Sequence, residues 1–233
     1  MKILAPEYYS HFRCIADRCT HTCCVGWEIE VDEESLQRFR ALPDVAPHIT
    51  GDEDPQIRLL EGERCPFLTQ SGLCQMILDH GEDVLCDICA DHPRFRSFWS
   101  DRVELGLGMV CEEAARLILS WPEPLRLVEL EDDGEDDELP EDEAWLMDIR
   151  RQLLERITDT GPKARLMEYL IFRHIPNALY DDRLDDRLNF VKESFRRITA
   201  AWEQTDGSLE QLAECARQFS YDYEYNDEAE FAV

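Results

Sequence analysis

The sequence has few lysines and no long apolar run. Its 233 residues include 52 acidic side chains against 24 basic ones, and lysine occurs only at Lys2, Lys163 and Lys192. A formal net charge of −28 repels nucleic acid phosphate, so no nucleic acid partner is expected. No stretch approaches the roughly 18 apolar residues of a membrane span, and the first residues lack an apolar signal-peptide core of about 7–15 residues. We therefore expect a cytoplasmic protein with no membrane partner.

A nucleotide-binding turn is also missing. No Gly-rich turn follows a predicted strand, as it does in the common dinucleotide-binding folds. The excess of carboxylates has two interpretations: a general solubility adaptation, or an acidic face that attracts a lysine-bearing protein. With 44% hydrophobic residues, the chain is apolar enough to fold around a core.

Cysteine is abundant but almost confined to the first half. Of ten cysteines, only Cys215 lies beyond residue 111, and its helical surroundings predict a small core residue. The stretch CIADRCTHTCCVGW, residues 14–27, holds four. Because cytosolic thiols stay reduced, clustered cysteines indicate a metal or cluster site more than disulfides.

Two metal chemistries remain open for these thiols. Structural zinc sites draw ligands from C-x2-4-C pairs, which Cys86/Cys89 and Cys19/Cys23 provide. An iron–sulfur cluster commonly takes three close thiolates and a remote one, and C-x4-C-x3-C-C with a distant cysteine supplies that pattern. Neighbouring side chains point apart, so Cys23 and Cys24 are not expected to bind one iron together. The spacing favours a cluster, with zinc as the alternative.

The predicted fold class is mainly α, with an acidic linker between two regions. Like charges with Gly and Pro in LVELEDDGEDDELPEDE predict a solvated linker, which we place at residues 128–143. Residues 1–127 are expected to form an irregular cysteine-rich region that binds a metal or cluster, with short helices and a hairpin. Residues 144–233 are expected to form a small bundle of about four helices.

Local signals predict the individual elements. In the first region, Asp32 caps a helix over EESLQRFRAL, two short helices end before Pro93, CEEAARLILSW forms a helix, and FRSFW with RVELGL forms a hairpin. In the second, Pro162 begins a helix, RLNFVKESFRRITAAW forms another, and Ser208 caps LEQLAECARQF. A four-residue apolar spacing predicts the buried face of the first bundle helix, at Trp145, Ile149, Leu153 and Ile157.

Four ordered blocks of the chain resemble the flagellin lysine-N-methylase (FliB-like) family, and the wider zinc- or iron-chelating (YkgJ-type) cysteine-cluster group. They are YYSHFRCIADRCTHTCCVGWEIEVD, CPFLTQSGLCQMI, CADHPRF and VELGLGMVCEEAARLIL, within roughly residues 7–120. The resemblance implies a cysteine-bound metal, best matched by a [4Fe–4S] cluster. It also implies S-adenosylmethionine as methyl donor and lysines of a protein substrate, flagellin, as acceptors. The spacing by itself indicates no methyl transfer.

The resemblance also implies a set of metal ligands. Carried over position by position, they fall on Cys14, Cys19, Cys23, Cys24, Cys65, Cys74, Cys89 and Cys111. Among these we predict Cys19, Cys23, Cys65 and Cys74 first. Cys86 is outside the family pattern and is predicted to be a buried thiol, and no catalytic residue is identified. The alternative function is a non-catalytic zinc- or iron-binding module whose helical half binds a partner.

Several neighbours of the cysteines have a structural and a functional interpretation. His21 either ligates or forms local hydrogen bonds, and Trp27 either shields a cluster or packs in a core. His92 and Arg94 either neutralise a thiolate-rich centre or form surface salt bridges. Glu112 and Glu113 follow Cys111 at a helix start, where the helix dipole explains them without catalysis.

Overall fold

The chain folds into two compact units in the computed structural model, which describes residues 1–134 and 138–225. The helical unit contains Met1–Arg13 and Pro93–Val233, described as far as residue 225. The cysteine unit contains Cys14–His92. These boundaries differ from the predicted division at residues 128–143, because the cysteine unit is inserted after the first strand of the helical unit.

Short strands and α-helices make up most of the regular structure of both units. The strands in the described residues are β1 (Lys2–Pro6), β2 (Ile49–Thr50), β3 (Gln56–Ile57), β4 (Arg94–Phe98), β5 (Arg102–Leu107) and β6 (Leu127–Asp132). The α-helices there are α1 (Glu33–Arg40), α2 (Gln75–His80), α3 (Asp87–Asp91), α4 (Glu112–Ser120), α5 (Glu141–Glu155), α6 (Pro162–His174), α7 (Ala178–Asp181), α8 (Leu184–Trp202) and α9 (Leu209–Phe219). The protein is mainly α, with a mixed sheet. No described helix is both long and apolar enough to cross a membrane.

The helical unit contains a mixed four-stranded sheet in the order β4-β5-β1-β6. The predicted hairpin is confirmed, since β4 and β5 pair in antiparallel register with Phe98 opposite Val103. β1 runs parallel to β5 and antiparallel to β6. The sequence pattern predicts neither β1 nor β6, because a strand whose partners lie far away in sequence carries little local signal.

The acidic stretch predicted to be a linker contains regular structure at both ends. Its first residues form β6, and α5 begins at Glu141, while residues 135–137 lie outside the described part of the chain. β6 is one of the two edge strands, so its carboxylates stay solvated while its backbone pairs with β1. A high density of like charges in the sequence therefore does not by itself mark where regular structure ends.

The bundle helices and α4 enclose one hydrophobic core. α6 begins at Pro162 and the Ser208 side chain accepts a hydrogen bond from the Gln211 amide at 3.4 Å, which confirms both predicted helix starts. The predicted α4 is also confirmed, but it packs in the core of the helical unit rather than in a cysteine-rich half. That core includes Leu107, Ile118, Leu166, Tyr169, Leu170, Ile175, Ile198, Leu212 and Phe219.

The buried face of α5 differs from the predicted one in the first half of the helix. Trp145 is 58% exposed, whereas Leu146 and Arg150 are buried. Arg150 donates two hydrogen bonds to Glu104 on β5, at 2.5 and 2.6 Å, and this pair allows a charged residue on the inner face. Leu153 and Ile157 pack against the core, partly buried, so the apolar four-residue spacing predicts the second half of the face and misses the first half by one position.

The cysteine unit has short elements around a second core. The predicted α1 is confirmed with its cap, since the Asp32 carboxylate accepts from the Ser35 amide at 2.8 Å. α2 and α3 confirm the two short helices predicted before Pro93, and β2 and β3 form a two-stranded ribbon. The core comprises Ile29, Val31, Leu36, Phe39, Val45, Ile57, Cys65, Phe67, Leu68, Met76, Val84 and Cys86.

Candidate metal centre

Five thiols of the cysteine unit lie in or against its single core. Cys65 and Cys86 are buried members of that core, and Cys24, Cys74 and Cys89 pack against it, partly buried. Each of the five interacts electrostatically with at least two of the others. Segments that are far apart in sequence thus deliver thiols to one apolar environment.

Backbone hydrogen bonds join the segments that carry Cys24 and Cys65. The Cys65 amide donates to the Cys24 carbonyl at 2.9 Å, and Val25 pairs with Arg64 in an antiparallel bridge. The Arg64 guanidinium donates to the carbonyls of Leu68 and Thr69, at 2.9 and 2.8 Å. Arg64 therefore holds the loop that follows Cys65 as well as the strand-like segment that precedes it.

The CPFLTQSGLC loop brings Cys74 back towards Cys65. Leu68 forms an antiparallel bridge with Cys74, and the Leu68 amide donates to the Cys65 carbonyl at 3.1 Å. The Gln75 amide then donates to the Phe67 carbonyl at 2.7 Å as α2 begins. Cys74 occupies the N-cap position of that helix, so its thiol position is fixed by both the loop and the helix.

The C-x2-C pair Cys86/Cys89 lies at the start of α3. Cys86 is the N-cap residue, the Cys89 amide donates to its carbonyl at 3.0 Å, and the two thiols share a hydrogen bond. The second Asp32 oxygen accepts from the Asp87 amide at 3.0 Å, so one carboxylate caps both α1 and α3. The pair is thereby anchored to the first helix of the unit.

The thiols differ in their tendency to ionise. A hydrogen bond from the Cys23 thiol lowers the pKa of Cys24 to about 6, against the effect of burial. The hydrogen bond between Cys86 and Cys89 lowers the pKa of Cys86 and raises the pKa of Cys89, because the shared proton stays on Cys89. Burial raises the pKa of Cys65 to about 11 and also raises that of Cys74. Thiolate, the form that binds metals, is therefore favoured at Cys24 and Cys86.

The other predicted ligands lie outside this group of five. Cys14 is exposed and its sulfur accepts from the Ala16 amide at 3.4 Å, while the Cys19 thiol donates to the His21 carbonyl at 2.9 Å. Cys23 is exposed and acts on the group through its hydrogen bond to Cys24. Cys111 belongs to the helical unit, where it is the N-cap of α4.

The neighbours of the cysteines also have defined positions. The ring centroids of Trp27 and His92 are 5.5 Å apart, and the Trp27 indole donates to the Cys23 carbonyl. Arg94 belongs to the helical unit and stacks over Tyr9 and Phe12 at 5.7 and 5.5 Å. In the helical unit, Glu112 and Glu113 lie in the first turn of α4 as predicted, and Glu113 also pairs with Arg116. Cys215 packs against the core, as predicted.

The donor chemistry of the five thiols fits a thiolate-bound group. Soft thiolate ligands select iron–sulfur clusters or zinc over harder cations, and burial among apolar side chains excludes competing water ligands. Among the described residues, no three His, Cys, Asp or Glu side chains already stand in the geometry of a single metal ion. Cys86 is the member of the group that the family pattern omits, although its C-x2-C spacing with Cys89 is visible in the sequence.

Comparison with known proteins gives three relatives. The chain is 27% identical to a lysine-N-methylase of Salmonella choleraesuis strain SC-B67 over 141 residues, which cover 54% of this chain and 35% of that protein. It is 26% identical to a lysine-N-methylase of Salmonella typhimurium strain LT2, with the same coverage. It is also 26% identical to the flagellar biosynthetic protein FliU of Salmonella muenchen, over 54% of this chain and 82% of FliU.

The similarity has clear limits. The match spans about a third of the length of each lysine-N-methylase. No family model matches the chain, and no solved structure matches it. The three relatives nonetheless confirm, over about half of the chain, its resemblance to the flagellin lysine-N-methylase (FliB-like) family.

Proposed function

We propose that this protein is an S-adenosylmethionine-dependent lysine N-methylase that acts on a protein substrate of the flagellin type. The similarity to two proteins named lysine-N-methylase carries the proposal, and the similarity to the flagellar protein FliU supports the substrate class. The cysteine unit would bind an iron–sulfur cluster, with zinc as the alternative metal. The family resemblance marks eight cysteines as candidate ligands of this group.

The composition of the cysteine unit supports a bound group. Its helices are short and its core contains two buried thiols with three more packed against it. Thiolates scattered along an unfolded chain make metal binding part of the folding free energy. When bound, the cluster would order this unit and take part in handling the sulfonium donor.

The proposed transfer sets requirements on the substrate lysine. The bond between the methyl carbon and the sulfonium sulfur breaks as a C–N bond forms between that carbon and the lysine Nζ, which leaves S-adenosylhomocysteine. The lysine nitrogen gives up a proton in the process. An ammonium has no free electron pair, so the lysine must be deprotonated before it attacks, against an ordinary pKa of about 10.4. Enzymes meet this need with a nearby base and a desolvated lysine.

The acidic surface supports a lysine-bearing substrate. The net charge of −28 attracts cationic protein segments, and such attraction accelerates encounter rather than the chemical step. The attraction weakens as salt shortens the Debye length, which is about 10 Å at 0.1 M ionic strength. A general solubility role for the carboxylates predicts no such dependence.

Methyl transfer to flagellin tests the proposal. The full chain, prepared anaerobically with its metal, is incubated with flagellin from the same source and labelled S-adenosylmethionine at several ionic strengths. Mass spectrometry then follows the label on lysines. We expect the rate of methyl transfer to decline with salt. Cys65→Ser should lose most of the transfer activity, whereas Cys215→Ser should keep the activity of the wild type. If methyl transfer does not depend on salt, the methylase activity is supported and the proposed electrostatic attraction of the substrate is rejected.

A second candidate is a non-catalytic zinc- or iron-binding module whose helical unit binds a partner protein. The observation that favours it is the match to only 35% of each lysine-N-methylase. Binding of S-adenosylmethionine to the metal-loaded chain, measured by calorimetry, distinguishes the two. A protein with full metal content that neither binds the donor nor methylates flagellin is the module.

A further inference from the structure

We propose that Cys86, which the family pattern leaves out, is a ligand of the metal group in the cysteine unit, and that the exposed Cys14, which the pattern includes, is not. The inference rests on the metal-binding part of the proposed function and names which side chains bind. It concerns the ligand set of this chain, for which the family pattern and the geometry disagree.

The position of the Cys86 thiol is the first argument. Cys86 is 1% exposed and lies in the same core as Cys65, while Cys74 and Cys89 pack against that core. It interacts electrostatically with Cys74 as well as with Cys89. The thiol therefore lies close to other candidate donors rather than in an isolated apolar pocket.

The pairing of Cys86 with Cys89 is the second argument. The two thiols are hydrogen-bonded to each other across the first turn of α3. A C-x2-C pair at a helix start is the arrangement in which zinc sites and clusters take two thiolates from one short segment. If Cys89 binds the metal, as the family pattern implies, the neighbouring Cys86 sulfur is within reach of the same group.

Cys14 has the opposite surroundings. Its thiol is exposed and takes no part in the core of the unit, and its described hydrogen bond is with the amide of Ala16 two residues later. A thiolate held in water at the beginning of the unit gains nothing from the apolar core that gathers the other thiols. The geometry therefore favours Cys24, Cys65, Cys74, Cys86 and Cys89 as the donor group.

Matched Cys→Ser variants test the inference. Cys86→Ser and Cys14→Ser are prepared anaerobically as full chains, and iron, sulfide and zinc per chain are measured with the visible spectrum. We expect Cys86→Ser to lose most of its metal, with affinity in chelator competition reduced on the order of 10–100-fold or more. We expect Cys14→Ser to match the wild type. The family pattern alone predicts the reverse.

A fold control separates ligation from stability. Val84 lies in the same core two residues earlier and carries no donor atom, so Val84→Ala should lower stability yet keep its metal. If Cys86→Ser does not fold, the wild type is tested instead. Metal-loaded protein is alkylated at increasing urea concentrations, and mass spectrometry measures the alkylation of each cysteine. If Cys86 is a ligand, it becomes alkylated only at the urea concentrations at which the metal is released and Cys89 is alkylated.

The outcomes distinguish this inference from the proposed function. A wild type that binds no metal removes the metal site itself from the proposed function. If the wild type binds metal and Cys86→Ser keeps the full metal content, Cys86 is not a ligand, and the proposed function is unaffected. Alkylation of Cys86 while the metal is retained shows the same, and metal loss in Cys14→Ser overturns the exclusion of Cys14.

Discussion

At the scale of single residues, the helical unit depends on a buried ion pair. Glu104 is fully buried and Arg150 is 5% exposed, and two hydrogen bonds of 2.5 and 2.6 Å join them. The Arg150 guanidinium also stacks over Trp99 and Phe172, at 5.0 and 5.6 Å. Such a pair contributes little net stability compared with apolar residues, but loss of one partner leaves a buried charge without compensation.

We predict that Arg150→Met destabilises the helical unit by about 3–5 kcal/mol. The double variant Glu104→Leu/Arg150→Met should recover most of that loss, because no unpaired charge remains. Urea denaturation followed by circular dichroism measures both. Arg151→Met serves as control, since the side chains of Arg151 and its partner Glu155 are more than half exposed. Equal effects at positions 150 and 151 would contradict the prediction.

A second buried carboxylate should make stability depend on pH. Despite burial, Arg173 and His174 lower the pKa of Glu224 to about 2 from an ordinary 4.5. Its contribution is therefore present above pH 4.5 and is lost as pH falls towards 2. Burial also lowers the pKa of His174 from 6.5, so stability declines further as pH falls below 6.5 and the unfolded chain binds a proton. Within residues 1–134 and 138–225, the charged or titratable groups around the pair include Tyr169, Arg173, Arg187 and Tyr225.

We expect Glu224→Gln to lose on the order of 3 kcal/mol at pH 7 and the difference from the wild type to shrink below pH 4.5. The Glu224 carboxylate accepts from Tyr169 at 2.9 Å and bonds His174 at 2.6 Å, and a neutral amide in its place leaves the buried Arg173 guanidinium without this opposing charge. Urea midpoints between pH 7 and pH 3 supply the measurement, with the exposed Glu155→Gln as control. A constant difference across this range would show that Glu224 does not titrate as expected.

At the scale of elements, one side chain connects two helices of the cysteine unit. Asp32 caps α1 through the Ser35 amide, and its other oxygen accepts from the Asp87 amide at the start of α3. We predict that Asp32→Ala costs about 0.5–2 kcal/mol for each lost cap. Hydrogen exchange should become faster in both α1 and α3.

The Ser208→Ala variant is the matched control for this effect. Ser208 caps α9 in the helical unit, so its loss should accelerate exchange there and leave α1 and α3 unchanged. If Asp32→Ala alters α1 alone, the hydrogen bond to Asp87 does not stabilise α3. Lower metal affinity in Asp32→Ala would follow from a less ordered Cys86/Cys89 segment.

At the scale of the whole molecule, we expect the two units to differ in their dependence on metal. Chelation should increase proteolysis within Cys14–His92 and leave the helical unit protected, because only the former lacks long helices and gathers thiols. Limited proteolysis with mass spectrometry, with and without chelator, locates the cuts. Equal protection of the apo and metal-loaded chains would argue against metal-dependent folding.

Local signals in the sequence predict the helices well and the sheet poorly. The helix starts at Asp32 and Ser208 depend on side-chain caps, and the one at Pro162 depends on the fixed φ of a proline in the first turn. A sequence displays both signals directly. The pairing of β1 with β6 joins segments more than a hundred residues apart, and nothing local announces it. The Glu104–Arg150 pair also joins residues that are far apart in sequence, so no local pattern predicts a buried arginine on the inner face of α5.

The candidate site follows the same rule. The density of cysteines in residues 14–24 attracts attention to that block, yet only Cys24 from it packs against the core of the cysteine unit. Cys86 joins the group through tertiary packing, and its spacing from Cys89 is the single local signal. Spacing within the chain indicates which thiols are close in sequence, whereas the fold decides which thiols converge.

The insertion of the cysteine unit after β1 has a consequence for biosynthesis. β1 leaves the ribosome before the cysteine unit, and its partners β5 and β6 follow only after the whole cysteine unit has been made. At about 5–20 residues per second, roughly 5–20 seconds separate the emergence of β1 from that of β5. The thiols of the inserted unit are therefore complete before the sheet of the helical unit closes, and metal delivered during translation would meet them at that stage.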